Sequence, residues 1–133
     1  MVTDMRTDSW RRPTGFTLIE LLVVLAIVAL LLTLAVPRYF QSVEYAKEKV
    51  LLDNLAVTRD TIDKFYGDAG RYPDSLQELV DRKYLRALPY DPIADSSTTW
   101  VIVPPDESAK GNVYNLHSAA PGTTRDGKPY SAL

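Results

Sequence analysis

From Phe16 to Val36 the chain holds only three polar residues, Thr17, Glu20 and Thr33, and Leu21 to Leu32 is unbroken apolar sequence. As a helix rising about 1.5 Å per residue, this stretch covers roughly 30 Å, the hydrocarbon thickness of a bilayer. A membrane-spanning helix is therefore the first expectation. It leaves a chain of 133 residues enough length for about one small domain outside the bilayer.

The apolar run does not have the order of a secretory signal, which places a short apolar stretch between a basic start and a small-residue cleavage site. Here residues 1–15 are polar, with Arg6, Arg11 and Arg12 set against Asp4 and Asp8, and no A-x-A site bounded by polar sequence follows the run. The segment is expected to be retained. Arg11 and Arg12 should keep its N-terminal flank in the cytoplasm, because cationic flanks resist translocation.

A net charge of -2 argues against a nucleic-acid binder, which needs a basic surface for phosphates. The absence of cysteine excludes disulfides, redox pairs and thiolate zinc sites.

The stretch "GFTLIELLVVLAIVALLLTLAVPRY" resembles the class III signal of type IV pilins and of the pseudopilins of type II secretion systems. The resemblance implies cleavage between Gly15 and Phe16, N-methylation of Phe16, Glu20 as the fifth mature residue, and Pro37 as the family's helix-kinking proline. Thr17, Glu20 and Pro37 are the residues it implies for assembly. No catalytic or cofactor-binding residue is implied.

Glu20 has a physical reading of its own. A central acidic residue costs roughly 2.5 to 3.5 kcal/mol on insertion, which the surrounding leucines and valines offset at about 0.3 to 0.6 each. Cleavage after Gly15 would create an amine one helical turn away, and an ammonium and a carboxylate desolvated together attract strongly. The amine of the same chain and that of a neighbour both satisfy this argument. The resemblance implies the neighbour's, as a docking device in a bundle of helices.

Beyond Pro37, which removes a backbone donor and is expected to kink or loosen the helix, the apolar positions recur at three and four. Val43, Ala46, Val50, Leu51, Leu55, Ile62, Phe65 and Tyr66 form this set, with Glu44 and Lys47, and Asp60 and Lys64, spaced for surface pairs. A helix from Phe16 to Tyr66 would be roughly 75 Å long, so its second half should leave the bilayer and carry a domain. Gly67 and Gly70 read as stop signals, and Ser75 with Glu78 reads as a capping box opening a second helix. "TTWVIV" (98–103) and "VYNLH" (113–117) are rich in β-branched and aromatic residues and should pair as a hairpin. The C-terminal stretch reads as a loop, with a turn at Asp126 and Gly127 and Tyr130 as its anchor.

The expected fold class is thus α+β and pilin-like: a long N-terminal helix, its first half transmembrane, packed on a small domain with a short helix and an antiparallel sheet. The expected divisions are a cleaved cytoplasmic leader at 1–15, a transmembrane and filament-core helix at 16–37, an amphipathic periplasmic half at 38–67, and a globular head with a C-terminal loop at 68–133. "GRYP", "YLRALPYDP" and "YNLHSAAPG" resemble landmarks of the major pseudopilin family.

Chemistry elsewhere reads as structural. His117 stands alone without ligand or triad partners, and Asp91, Asp95, Ser96 and Ser97 read as turn residues. The major pseudopilin family has a calcium site in the C-terminal loop, but here Asp126 is the one acid between Ser118 and Leu133, where calcium wants several carboxylates. The eight tyrosines and two tryptophans are expected to serve packing rather than to stack nucleobases.

The reading is a structural subunit and not an enzyme, in a homo-polymer with other pseudopilins. The resemblance implies a prepilin peptidase and methyltransferase, an inner-membrane platform protein and an assembly ATPase as partners. Its location would be the inner membrane, with a periplasmic C-terminal domain extracted into a filament. The alternatives are a subunit of a true type IV pilus, serving adhesion, twitching or DNA uptake, and a membrane-tethered periplasmic binding module.

Overall fold

A computed structural model describes residues 15–133, so the leader expected at 1–15, with Arg11 and Arg12, lies almost wholly outside the described residues. The elements run in the order α1 (Leu18–Ala69), α2 (Leu76–Asp81), β1 (Val101–Val103), β2 (Asn115–His117) and a 3-10 turn at Tyr130–Ala132. This is the α+β, pilin-like order expected. The chain divides into two compact units, one ending at Tyr39 and one running Phe40–Leu133, and α1 contributes to both.

From Leu18 onward the first unit is the opening half of α1. Its leucines, valines and isoleucines are exposed all round, and among the described residues α1 is the helix long and apolar enough to cross a membrane. The helix passes through Pro37 without ending. Proline at that position removes the amide that would have bonded the Thr33 carbonyl.

In the second unit α1 buries one stripe: Glu48, Leu51, Leu55, Thr58, Ile62 and Phe65. Steps of three and four keep these positions on one face. Leu51, Leu55, Ile62 and Phe65 are core residues as the periodicity predicts, whereas Ala46, Val50 and Tyr66 are exposed and the polar Glu48 and Thr58 lie inside. Arg71 forms ion pairs with Asp74 and Glu78, whereas the spaced pairs Glu44–Lys47 and Asp60–Lys64 do not close. Side-chain entropy outweighs the small gain of an exposed pair.

Gly67 does not stop the helix, which continues to Ala69 and ends at Gly70. There the backbone turns left-handed (φ 70°) and the Gly70 amide donates to the Tyr66 carbonyl at 2.9 Å. Only the second glycine reaches a conformation that requires one.

Ser75 caps α2, its hydroxyl accepting from the Glu78 amide at 3.2 Å. The return arm of the box is redirected. Glu78 accepts from the Asp74 amide at 3.3 Å and pairs with both terminal nitrogens of Arg71 at 2.8 and 3.1 Å. Arg71 and Arg82 in turn lie 5.2 and 5.7 Å from the Phe65 ring, which Tyr84 meets edge-on at 5.2 Å.

The Arg71 hydrogen bond, aided by the Asp74 amide and by attraction to Arg71 and Arg82, outweighs burial and holds the Glu78 carboxyl below its ordinary range. A carboxyl lowered on folding stabilises above its unfolded pKa, about 4.3, and the contribution is lost as pH falls through the folded value. Glu78→Gln should therefore lower Tm at neutral pH and differ progressively less from the wild type below about pH 4. Thermal unfolding across pH checks this, and a constant difference would refute it.

β1 and β2 pair antiparallel, with Val101 opposite His117, Ile102 opposite Leu116 and Val103 opposite Asn115. The predicted hairpin forms, though each strand is only three residues long. So short a ribbon is not stable alone, and here Leu116 packs into a core of Leu51, Leu55, Ile62, Phe65, Leu79, Trp100 and Val113.

Arg59 fixes the sheet to α1. Its Nε donates to Asn115 Oδ1 at 2.8 Å, and one Nη donates to the carbonyls of Leu116 and Leu133 at 3.0 and 2.7 Å.

Asp91 is almost fully buried. One carboxylate oxygen accepts from the Ile93 and Ala94 amides at 2.9 and 3.0 Å, and the other takes the hydroxyl of Ser118. The turn reading is correct for Asp91, and the same residue joins "YLRALPYDP" to "YNLHSAAPG".

Candidate processing and assembly site

Apart from Pro37, the residues expected to carry processing and assembly lie at the start of α1 or just before it. Gly15 and Phe16 precede the helix, and both are exposed. A Cβ built on Gly15 meets no atom within 4 Å, so nothing in the folded chain itself demands glycine there.

Thr17 is the N-cap. Its hydroxyl accepts from the Glu20 amide at 3.2 Å while Glu20 Oε2 accepts from the Thr17 amide at 3.4 Å. This is a reciprocal capping box. The T-x-x-E spacing of "TLIE" carries the signal, as S-x-x-E does at Ser75, and sequence reasoning placed a box only at the latter.

The box gives Glu20 a local role that the ion-pair argument did not include. Its carboxylate sits against the Thr17 amide at a helix N-terminus, where negative charge is favoured. Around it Phe16, Ile19, Val23 and Val24 form a shallow apolar patch. Pro37 lies farther along the same helix and is not brought to Glu20.

His117 keeps a structural place, its Nδ1 lying 2.6 Å from the Leu133 carbonyl. The C-terminal loop is closed by protein groups. Thr124 and Lys128 exchange backbone and side-chain hydrogen bonds at 2.7 and 3.1 Å, and Gly127, left-handed at φ 83°, donates to the Thr124 carbonyl at 2.9 Å. Tyr130 is buried beneath it, and that burial, with the charges of Glu48 and Glu44, raises the phenol above its ordinary range.

The buried Glu48 carboxylate reaches from α1 into this loop and accepts the Arg125 amide at 3.0 Å. The Arg125 guanidinium lies 5.4 Å from the Tyr45 ring. The residues do not fit the family's calcium: Asp126 is exposed, and the described residues contain no group of three acidic, histidine or cysteine side chains able to hold a metal.

Three comparisons bear on this site. A family profile described as "Prokaryotic N-terminal methylation motif" matches residues 10–36. Type II secretion system core protein G of Pseudomonas aeruginosa is 31% identical over 98 residues, 62% of this chain and 69% of that protein. This chain belongs to the type II secretion system core protein G family.

Another family member, core protein G of Pectobacterium carotovorum subsp. carotovorum, is 28% identical across 90% of this chain and 85% of its own length. The type IV major pilin protein PilA of Myxococcus xanthus is 32% identical over 68 residues, but these cover only 31% of that protein. No solved structure gives a significant match. The core protein G family member described here is accordingly a pilin-like secretion or pilus subunit, a structural protein and not an enzyme. Its apolar helix and methylation motif are those of a single-pass inner-membrane protein.

Proposed function

We propose that this chain is a subunit of a type II secretion pseudopilus, polymerising from the inner membrane to help drive protein export across the outer membrane. The observation that carries the reading is Glu20, the one charged residue between Phe16 and Val36, one turn from the bond after Gly15. A prepilin peptidase cuts between Gly15 and Phe16 and methylates the new amine. Residues 1–15 are the leader, 16–37 the membrane and filament-core segment, 38–67 the periplasmic half of the helix, and 68–133 the periplasmic head.

In the bilayer the capping box lowers the cost of Glu20, because two of its hydrogen-bonding needs are met within the first turn. The remaining lone pairs of the carboxylate face apolar surroundings. A neighbour's N-terminal ammonium satisfies them, so assembly gains both the ion pair and its specificity. Polymerisation then proceeds with other pseudopilins, an inner-membrane platform protein and an assembly ATPase. Substrates are expelled through an outer-membrane channel.

The capping box supplies the control that separates docking from helix initiation. Gln preserves a capping box while removing the charge, whereas Ala removes both. With processing confirmed by mass spectrometry of the mature terminus, Glu20→Gln and Glu20→Ala should both lose crosslinked ladders of subunits, by about tenfold or more. Wild-type ladders from Glu20→Gln would show that capping suffices and would sink the docking role.

The partial match to a type IV major pilin keeps a second reading in view, a subunit of a pilus used for adhesion, twitching or DNA uptake. Deletion separates them. A secretion defect without loss of a long surface fibre supports the pseudopilus.

A further inference from the structure

Tyr66, Tyr72 and Tyr114, far apart in sequence, meet on the surface of the Phe40–Leu133 unit. Tyr66 and Tyr72 stack with centroids 4.5 Å apart, and Tyr114 meets Tyr72 at 5.3 Å and 85°, so the rings form an aromatic corner. Pro105, Asp106, Ser108 and Ala109 complete a cavity of about 470 Å³. Tyr66 and Tyr114 remain 42% and 50% exposed, which places aromatic surface in reach of a ligand.

The opposite wall is held in place before anything binds. The Tyr72 amide donates to the Lys110 carbonyl at 2.8 Å, Ala109 donates to Asp106 at 3.0 Å, and Asn112 and Val113 both donate to the Pro73 carbonyl. A preorganised wall reduces the ordering cost of binding.

The electrostatics select the ligand. Aromatic faces are negative, Asp106 adds a carboxylate, and no lysine or arginine lines the cavity. The Tyr72 phenol is raised by burial and then by Tyr114, Tyr66, Asp63 and Asp106, all of which disfavour added negative charge. The rest of the Phe40–Leu133 unit shows what this molecule does with such faces. Phe65 is flanked by Arg71 and Arg82, and Tyr45 by Arg125 and Lys49, whereas this corner has no cation of its own.

We propose that the corner is a binding site for a guanidinium side chain, presented by an arginine of a partner polypeptide. The planar cation stacks on the open tyrosine faces while its N–H groups meet Asp106. The inference stands on the geometry of the head and is independent of the pseudopilus reading.

The test is a titration of the isotope-labelled full chain, in zwitterionic detergent micelles, with the probe peptide acetyl-Gly-Arg-Gly-amide. The ring signals of Tyr66, Tyr72 and Tyr114 should shift saturably with Kd on the order of 10 mM, while Tyr45, which already has the Arg125 and Lys49 cations beside its ring, does not move. Asp106→Asn should weaken binding about threefold, and Tyr114→Leu, at a half-exposed position that tolerates replacement, about tenfold. The peptide with neutral citrulline in place of arginine should give no saturable shift. Equal response to citrulline, saturation by an oligothymidylate instead, or no response to the arginine peptide would each overturn the assignment.

Discussion

Gly111→Ala is expected to cost about 3 kcal/mol or more, enough to leave much of the head unfolded at 37 °C. A Cβ at this position would lie 2.2 Å from the Tyr72 carbonyl oxygen and 2.6 Å from its carbon, and both are backbone atoms that no rotamer change can move aside. The residue also sits at φ 105°, which side-chain-bearing residues rarely adopt.

Relief of the clash requires the segment after Lys110 to lift off Tyr72. That would break the bonds from Tyr72 to Lys110 and from Asn112 and Val113 to Pro73. Gly67 gives the matched control: a Cβ there meets nothing within 4 Å and lies inside α1, so Gly67→Ala should stabilise by about 0.5 to 1 kcal/mol. Near-UV circular dichroism of the two variants during heating reads both effects. A Gly111→Ala melting curve that overlays the wild type would refute the close approach.

Glu48→Ala is expected to release the C-terminal loop at a cost of about 1 to 3 kcal/mol. The carboxylate is the link by which α1 holds the Arg125 amide, and its removal leaves that donor without its acceptor. Glu48→Gln keeps an acceptor of similar reach and should lose less. The effect is local: amide exchange should accelerate across residues 122–130, and trypsin should cut at Arg125 and Lys128 before the head unfolds. Calcium should change neither the wild type nor the variant. A rise in Tm with calcium over a chelator, or an unchanged exchange pattern in Glu48→Ala, would contradict the clasp.

Much of the fold was legible because it rests on local signals. The apolar run, the three-four spacing of Leu51, Leu55, Ile62 and Phe65, the Ser75 cap, the strand pair and the Asp126–Gly127 turn are all short-range patterns. The local patterns are silent about one group of residues. Glu48, Thr58, Asp91 and Ser118 are polar, yet each is buried. A buried polar group survives only with a partner: Glu48 finds the distant Arg125 amide, Asp91 and Ser118 bond each other as well as nearby amides, and Thr58 bonds the Asn54 carbonyl one turn back at 2.7 Å.

The opening of α1 shows the same division at closer range. Glycine, phenylalanine, threonine and glutamate in this register carry the family signal locally, and the family profile matches across them. The hydrogen bonds between Thr17 and Glu20 were also within reach of local reasoning, through the T-x-x-E spacing.

The sequence by itself determined the membrane-length helix, the family signal at its start and the order of elements in the head, because periodicity and capping act over a few residues. Only the tertiary structure decided that Glu48 clasps the C-terminal loop, that Arg59 ties strand β2 to α1, and that Tyr66, Tyr72 and Tyr114 form one corner. These contacts join segments tens of residues apart. Their free energy comes from burying groups together, and no local pattern records which distant segment arrives to complete them.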